Sequence, residues 1–219
     1  MSRTGTNTGD AGTNPDTALA NATVDPAPRL VVATTSPYRL ELIARLGVPY
    51  VAVDHRCDED AFKAHGTRPA ELAMQLARKK AESVALDHPG AFVLGSDQVC
   101  VFGEEILSKP GTAARAEAQL ARLQGTTHEL VTAVALRHPD GQVRERLSVH
   151  PMTMRALSAA AIARYVAADQ PLDCAGSYKV EGRGITLFER IGGDDFTGII
   201  GLPLIALTDL LGDAGFEVP

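Results

Sequence analysis

Residues 29–42, RLVVATTSPYRLEL, join a short apolar segment rich in β-branched residues to a helical pattern through two threonines and a Ser-Pro pair. The pattern predicts a strand over 29–34 and a helix over 37–46. The Ser-Pro pair is typical of a helix start, because the Ser36 hydroxyl can accept a hydrogen bond from a first-turn amide and proline has no amide to satisfy. The stretch therefore predicts a strand, a polar turn and a helix in succession.

Apolar runs and helical periodicity continue to alternate beyond this stretch. Two β-rich segments flank Asp97 and Gln98 in AFVLGSDQVCVF, which places Asp97 where a strand meets a turn. The other predicted elements are a strand at 49–54 after Gly47, helices at 69–86, 112–123, 158–167 and near 203–212, and a hairpin about Asp140-Gly141. Interleaved strands and helices predict an α/β fold with a mixed sheet flanked by helices.

Composition indicates one globular domain behind a tail. Residues 1–28 hold almost no large apolar residue, too few to offset the entropy of ordering, and are predicted to be disordered. The domain is expected over 29–219, where the chain, 45% hydrophobic overall, can bury a substantial core. The tail lacks the apolar centre of a secretory signal and no later segment is long and apolar enough to span a bilayer, so we expect a cytoplasmic protein.

Charge and cysteine content exclude several classes of function. A formal net charge of −6 with no basic stretch argues against binding to nucleic acid or to an anionic membrane. Cys57, Cys100 and Cys174 are odd in number and far apart, which indicates neither a disulfide framework nor a zinc site. Any site for a phosphorylated ligand must therefore depend on a few local cations.

Two clusters supply such cations together with carboxylates. Arg39 in a helix first turn has the wrong sign for the helix dipole, so it is either solvated or shares an anion with the turn amides. Asp97 either caps a turn or acts as a metal ligand or base, and Glu59 lies after another predicted strand. Lys80 and Lys109 stand near the predicted segment ends. Carboxylates for a divalent ion and cations for phosphate oxygens are typical of phosphoryl chemistry.

A third cluster is CAGSYKVEGRGITLFERIGGDDFTGIIGLPL, residues 174–204, which is rich in glycine. Lys179, Glu181 and Arg183 alternate, so in an extended segment they share one face. Such a face is either solvated or turned towards a ligand.

Several of these motifs, in this order, resemble one family. LVVATTSPYRLELIARLG, LARKKA, GSDQV, SKP and the glycine-rich cluster together resemble the Maf family of nucleoside triphosphate pyrophosphatases, from about residue 29 to 212. SDQV and CAGSYKVEGRGITLFERI are similar to the subgroup that hydrolyses 7-methyl-GTP. The resemblance implies an inosine triphosphatase-like fold with a cleft between two lobes, and a homodimer.

The resemblance also implies a reaction and the residues that carry it. The reaction is hydrolysis between the α and β phosphates with a divalent cation, Mg²⁺ or Mn²⁺. Asp97 matches the family's proton acceptor, and Asp97 with Glu59 is expected to hold the metal. The positions for base selection match Tyr38, Gln98 and Glu181, and the positions expected around the triphosphate match Ser36, Arg39, Lys80, Lys109 and Lys179.

Physical chemistry favours the same base. N7-methylguanine is cationic, and an aromatic face such as Tyr38 attracts a cation by about 0.5–2 kcal/mol. The guanine edge presents two adjacent donors, which one carboxylate such as Glu181 can accept. The subgroup often has tryptophan at the position of Tyr38, so weaker discrimination against unmethylated GTP is expected here. The alternatives are a dTTP or UTP pyrophosphatase and a regulator of cell division that binds nucleotide without cleaving it.

Overall fold

A computed structural model describes Met1 and residues 29–63 and 67–218 of the 219-residue chain. The predicted disordered tail, 1–28, lies outside the described residues apart from Met1. Within the described ranges, seven strands and seven α-helices follow one another. The strands are β1 (Leu30–Ala33), β2 (Tyr50–Val53), β3 (Phe92–Phe102), β4 (Glu105–Leu107), β5 (Thr127–Arg137), β6 (Val143–Met154) and β7 (Phe188–Ile191). The helices are α1 (Pro37–Ala44), α2 (Glu59–Lys63), α3 (Pro69–Ala85), α4 (Ala113–Leu123), α5 (Ala159–Asp169), α6 (Phe196–Ile200) and α7 (Leu204–Asp213).

The strands form one mixed sheet in the order β2-β1-β3-β5-β6-β7, with β4 added to β3. β1 pairs in parallel with β2 and with β3, whereas β3 pairs antiparallel with β5, β5 with β6, and β6 with β7. The α/β fold and the mixed sheet predicted from the sequence are confirmed. The hairpin is confirmed too: a turn that contains Gly141 connects β5 to β6, and the φ of 91° at this position suits glycine.

Most predicted helices are present within two residues of their expected ends, and the exceptions are instructive. α2 and α6, each five residues long, were not predicted, because elements of one turn are too short for a periodic pattern. Lys179, Glu181 and Arg183 do not share the face of a strand. They lie in turns and at the start of a 3₁₀-helix, Arg183–Leu187.

The placement of Asp97 corrects the sequence prediction. β3 runs without interruption through Asp97 and Gln98, so Asp97 lies in mid-strand and not where a strand meets a turn. Successive residues of a strand point to opposite faces, and these two side chains therefore lie on opposite sides of the sheet. Lys80 likewise lies within α3, not near its end.

Apolar side chains cover both faces of the sheet. On one face, α3 packs against β3 and β5 so closely that a Cβ on Gly95 would lie 2.1 Å from the carbonyl oxygen of Ala77. On the other face lie two separate apolar clusters. One includes Leu94, Val134 and the buried side of α7, and the other includes Leu130 and Met152.

One edge of β3 is left open between two neighbours. On that side β1 pairs only with residues 92–94 of β3, and β4 pairs only with residues 100–102. No strand in the described ranges pairs with residues 95–99 on that side. The carboxyl end of β1 thus opens beside the middle of β3, the kind of position where α/β sheets bind ligands.

None of the helices in the described ranges is both long and apolar enough to cross a membrane.

Candidate active site

A cavity of about 470 Å³ lies at the open edge of β3. Its walls include the turn after β1, residues 97–99 of β3, residues 106–109 at and after the end of β4, and the segment 173–181. The volume is within the range of roughly 300–1,000 Å³ typical of small-molecule sites. Because Asp97 and Gln98 both line it, the cavity reaches both faces of the sheet around the strand edge.

Lys80 joins two carboxylates at the centre of this cavity. Its ammonium group lies 2.7 Å from Oδ1 of Asp97 and 2.8 Å from Oε1 of Glu59. Lys80 and Asp97 are buried, with 3% and 6% of their surface exposed. β3 supplies Asp97, α3 supplies Lys80 and the short α2 supplies Glu59. The site therefore contains a buried cation shared by two acids.

His55 stands beside this cluster just after β2 and lines the same cavity. Its Nε2 lies 3.7 Å from Oε1 of Glu59, and its Nδ1 is buried and makes no hydrogen bond within the described part of the chain. Burial lowers the pKa of His55, and the charge of Lys80 lowers it further. Sequence reasoning missed His55, since a single histidine after a strand carries no motif.

The N-terminus of α1 forms another wall of the cavity. Ser36 occupies the N-cap position, but its side chain makes no capping hydrogen bond, contrary to the expectation from the Ser-Pro pair. Instead the backbone amide of Ser36 donates to Oγ1 of Thr34 at 3.1 Å. Ser36 and the first turn of α1 thus line the cavity with no side-chain cap on the helix, which leaves first-turn amides available to an anion.

Arg39 is held in the same wall by a backbone contact. Its Nε donates to the carbonyl oxygen of Gly201 at 2.9 Å. Burial lowers the pKa of Arg39, while the charges of Asp97 and Glu59 oppose that shift. A guanidinium group keeps its charge at neutral pH, so Arg39 adds a second cation near the two carboxylates.

Aromatic and acidic side chains line the remaining wall. Tyr38 is half-buried and Glu181 exposed, and Tyr178 is buried behind them. Nε2 of His128 lies 2.8 Å from the hydroxyl of Tyr178, and burial lowers the pKa of His128 to about 4. The hydroxyl of Tyr178 is therefore held by the buried, neutral imidazole of His128.

The structure gathers nearly all the residues singled out from the sequence. The cavity is lined by Ser36, Tyr38, Arg39, Glu59, Lys80, Asp97, Gln98, Lys109 and Glu181. Lys179 is not in the lining. Its ammonium lies 3.3 Å from Oδ1 of Asp173, which does line the cavity. Arg183 is not in the lining either; its backbone amide donates to Asp169 at 3.0 Å, and its guanidinium Nε lies 3.9 Å from the same carboxylate.

The donor set suits a hard divalent cation that arrives with a phosphorylated ligand. Asp97 and Glu59 offer carboxylate oxygens, which Mg²⁺ and Mn²⁺ prefer. The described residues contain no group of three or more metal-ligating side chains. Mg²⁺ is commonly held by one or two carboxylates plus substrate phosphates, so two acids beside a phosphate site fit such an ion.

Sequence comparison identifies the family of this chain. The model of the Maf-like protein family matches residues 29–214. The chain belongs to the Maf-like family.

Two relatives of this Maf-like chain are named for one activity. The chain is 45% identical over 192 residues to a 7-methyl-GTP pyrophosphatase of Xanthomonas campestris pv. campestris strain 8004, which covers 88% of this chain and 99% of the relative. It is 45% identical over 191 residues to a 7-methyl-GTP pyrophosphatase of Pseudomonas putida strain KT2440, covering 87% and 98%. The family expected from the sequence motifs is confirmed.

Solved structures are more distant. A nucleoside-triphosphatase, dITP/XTP pyrophosphatase, from Mycobacterium abscessus aligns with a TM-score of 0.42 and 18% identity, over 72% of this chain and 93% of that chain. At this level the similarity says nothing about activity.

Several cavity residues were not expected from the sequence. Asp173, Cys174 and Tyr178 line it from a segment in which the sequence had indicated Lys179 and Glu181 but not these three residues. Burial raises the pKa of the Cys174 thiol to about 12, so this thiol is a poor nucleophile at neutral pH. A polar residue in an irregular segment gives no periodic signal, and its position depends on how the segment returns to β3.

Proposed function

We propose that this protein hydrolyses 7-methyl-GTP to 7-methyl-GMP and pyrophosphate. The observation that carries the proposal is that one cavity holds both an acid and cation cluster for phosphates and an aromatic residue with a carboxylate for a cationic base. The names of the relatives at 45% identity support the same substrate. The homodimer implied by the family resemblance stays a prediction.

In this proposal the cations and the N-terminus of α1 bind the phosphates. Arg39 and Lys80, with Lys109 in the exposed turn after β4, face the cavity and oppose the charge of a triphosphate. Ser36 and the first turn of α1 add hydrogen-bond donors. Lys179, paired with Asp173, would reach a phosphate only at the cavity rim.

In this proposal the Asp97 carboxylate is the general base. It accepts a proton from a water molecule whose oxygen attacks the α-phosphorus, the bond from the α-phosphorus to the oxygen that bridges the β phosphate breaks, and pyrophosphate leaves with that oxygen. Lys80 offsets the negative charge of Asp97 and Glu59 at 2.7 and 2.8 Å, which lets an anionic substrate approach two carboxylates.

Fixed positive charge then stabilises the products. Negative charge builds on the leaving pyrophosphate, and preorganised cations stabilise such charge most effectively in phosphoryl chemistry. Arg39, oriented by its bond to Gly201, is one such cation. Asp97 and Glu59 would hold Mg²⁺ or Mn²⁺, an ion that polarises phosphate oxygens when bound.

In this proposal Tyr38 and Glu181 bind the base. Tyr38 offers a half-buried ring that a methylated, cationic guanine would stack on. Glu181 offers a carboxylate for the two donors of the guanine edge. Gln98, expected from the family resemblance to select the base, also lines the cavity, and its hydrogen bonds are considered below.

Product analysis tests the proposed reaction. Incubation of 7-methyl-GTP with the protein and Mg²⁺, resolved by anion-exchange chromatography, is expected to yield 7-methyl-GMP and pyrophosphate in equal amounts. Asp97→Asn should abolish both products while leaving the fold intact by circular dichroism. Release of inorganic phosphate and a diphosphate would contradict the proposal, and so would full turnover by Asp97→Asn. Binding of nucleotide with no products would indicate a regulator.

A further inference from the structure

The N-terminal end of the short helix α6 is tied by side-chain hydrogen bonds to the start of α7. Oδ1 of Asp195 accepts from the backbone amide of Thr197 at 2.9 Å and from the Thr197 hydroxyl, and Oδ2 accepts from the amide of Ile205 at 2.8 Å. The Thr197 hydroxyl also accepts from the amide of Leu204 at 2.8 Å. Asp195 is buried, with 8% of its surface exposed. α6 is therefore a rigid element, tied to the start of α7.

The carbonyl groups at the end of α6 bind side chains of the sheet. The carbonyl oxygen of Gly198 accepts from the Thr132 hydroxyl at 2.8 Å and from Nε2 of Gln98 at 2.9 Å. The carbonyl oxygen of Ile199 also accepts from Gln98, at 2.9 Å. The Gly198 carbonyl also accepts from the backbone amide of Gly201 at 3.2 Å. The last carbonyls of a helix carry partial negative charge and are only partly used by the helix itself, so the side-chain donors act as additional caps.

Gly201, directly after α6, extends the same arrangement to Arg39. Its carbonyl oxygen accepts from Nε of Arg39 and from the Ser96 hydroxyl, each at 2.9 Å. Gly201 has a φ of 120°, and a Cβ there would lie 3.4 Å from Nε of Arg39. Gln98 and Arg39, on two walls of the cavity, are thus joined through the four backbone residues 198–201.

The amide nitrogen of Gln98 is fully used by these contacts. It has two hydrogens and lies within 2.9 Å of three acceptors, namely Oγ1 of Thr132 and the carbonyl oxygens of Gly198 and Ile199. Carbonyl oxygens only accept, so the nitrogen and not the oxygen of the amide must face them. Nε2 of Gln98 is consequently engaged by protein groups and not available to a nucleotide base.

We propose that Gln98, Thr132 and Ser96 are positioning residues that fix the phosphate-binding Arg39 through the carbonyl groups of α6 and Gly201. This inference rests on the proposed function for the role of Arg39 towards phosphate. It assigns Gln98 an effect on every nucleotide, whatever its base.

Two variants and a matched control test the proposal. Thr132→Val keeps the shape of the side chain and removes its hydrogen bond to Gly198. Gln98→Met removes all three contacts of the amide nitrogen. Thr153→Val is the control, because its hydroxyl pairs with that of Thr127, 3.0 Å away on the β5–β6 ladder, and not with the carbonyl groups of Gly198, Ile199 or Gly201. Each protein is assayed for kcat/KM with 7-methyl-GTP and with GTP, and for inhibition by inorganic tripolyphosphate, which has no base.

The expected result is a loss common to all ligands. The loss of a hydrogen bond that fixes Arg39 should lower kcat/KM about tenfold for both nucleotides and weaken inhibition by tripolyphosphate to a similar degree. The ratio between the two nucleotides should stay within about twofold of the wild-type ratio. In an Arg39→Met background, Thr132→Val should cause no further loss of tripolyphosphate inhibition, whereas Thr153→Val should leave every value unchanged.

A base-specific loss would overturn the proposal. If Gln98→Met changes the ratio between 7-methyl-GTP and GTP while tripolyphosphate inhibition is unchanged, Gln98 acts on the base directly. Unchanged kcat/KM and unchanged tripolyphosphate inhibition in Thr132→Val would contradict the proposal equally. If Gln98→Met does not fold, Thr132→Val alone tests the proposal. Should the wild-type protein show no preference for 7-methyl-GTP, the proposed function fails, while tripolyphosphate inhibition still tests the link to Arg39.

Discussion

Replacing Lys80 with methionine tests the charge arrangement at the centre of the site. The substitution keeps the buried stem and removes the ammonium group that lies 2.7 Å from Asp97 and 2.8 Å from Glu59. Removing one partner of a buried ion pair costs about 3–5 kcal/mol, because the remaining charge stays buried without compensation. The Glu59 side chain is 28% exposed, so solvent screens part of the effect. We expect the free energy of unfolding to fall by about 3 kcal/mol.

The adjacent lysine provides a matched control. Lys79 pairs with Glu82 at 2.8 Å, but both side chains are exposed, at 48% and 36%. Such a surface pair contributes about 0–1 kcal/mol, so Lys79→Met should be close to neutral. Urea denaturation at pH 7 without divalent ions, followed by circular dichroism, measures both variants. The reasoning is refuted if Lys80→Met loses no more stability than Lys79→Met.

Divalent ions add a second measurement on the same proteins. In Lys80→Met the two carboxylates have lost their shared cation, so Mn²⁺ should restore part of the stability of this variant. The wild-type protein, with the ammonium in place, should gain less. An equal gain in both proteins would place the metal away from Asp97 and Glu59.

Two further predictions concern stability. Burial lowers the pKa of His128 from 6.5 to about 4, so the unfolded chain binds a proton that the folded protein excludes. Stability from this group is present above pH 6.5 and is lost as the pH falls towards 4. His128→Gln should therefore remove about 2 kcal/mol of the decrease between pH 7 and pH 5, measured by urea denaturation, and an unchanged decrease would contradict this. Separately, Gly95→Ala places a methyl group 2.1 Å from the Ala77 carbonyl oxygen. This substitution should lower the free energy of unfolding by about 3 kcal/mol or more. Gly212→Ala in α7, where a Cβ meets nothing within 4 Å, should instead stabilise by about 0.5–1 kcal/mol in thermal unfolding. Equal effects of the two glycine substitutions would contradict the close packing of α3 on β3.

Local patterns predicted the regular part of this fold. The helix α3, expected over 69–86, is observed over Pro69–Ala85, and the Asp140-Gly141 turn joins β5 to β6. These elements have long periodic patterns or specific turn residues, whose signal needs no tertiary information. The same is true of the strand, polar turn and helix at 29–42.

The parts that were wrong depend on tertiary arrangement. Asp97 was expected at a strand end because the chain is polar there, yet β3 continues, since β5 pairs with it on the other side throughout. The gap that opens the site exists only because β1 ends at Ala33 and β4 ends at Leu107, opposite Cys100, which no local pattern encodes. His55 and Asp173 enter the site through the same packing, and sequence reasoning missed them.

The measurement that tests the central claim most directly is kcat/KM for 7-methyl-GTP, GTP, UTP and dTTP, measured in parallel with Mg²⁺ and with Mn²⁺. Our account predicts the highest value for 7-methyl-GTP, a smaller one for GTP, and no activity with any nucleotide in Asp97→Asn. Glu181→Gln should reduce the preference for 7-methyl-GTP. A preference of the wild-type protein for UTP or dTTP would contradict the assignment of Tyr38 and Glu181 to a methylated guanine.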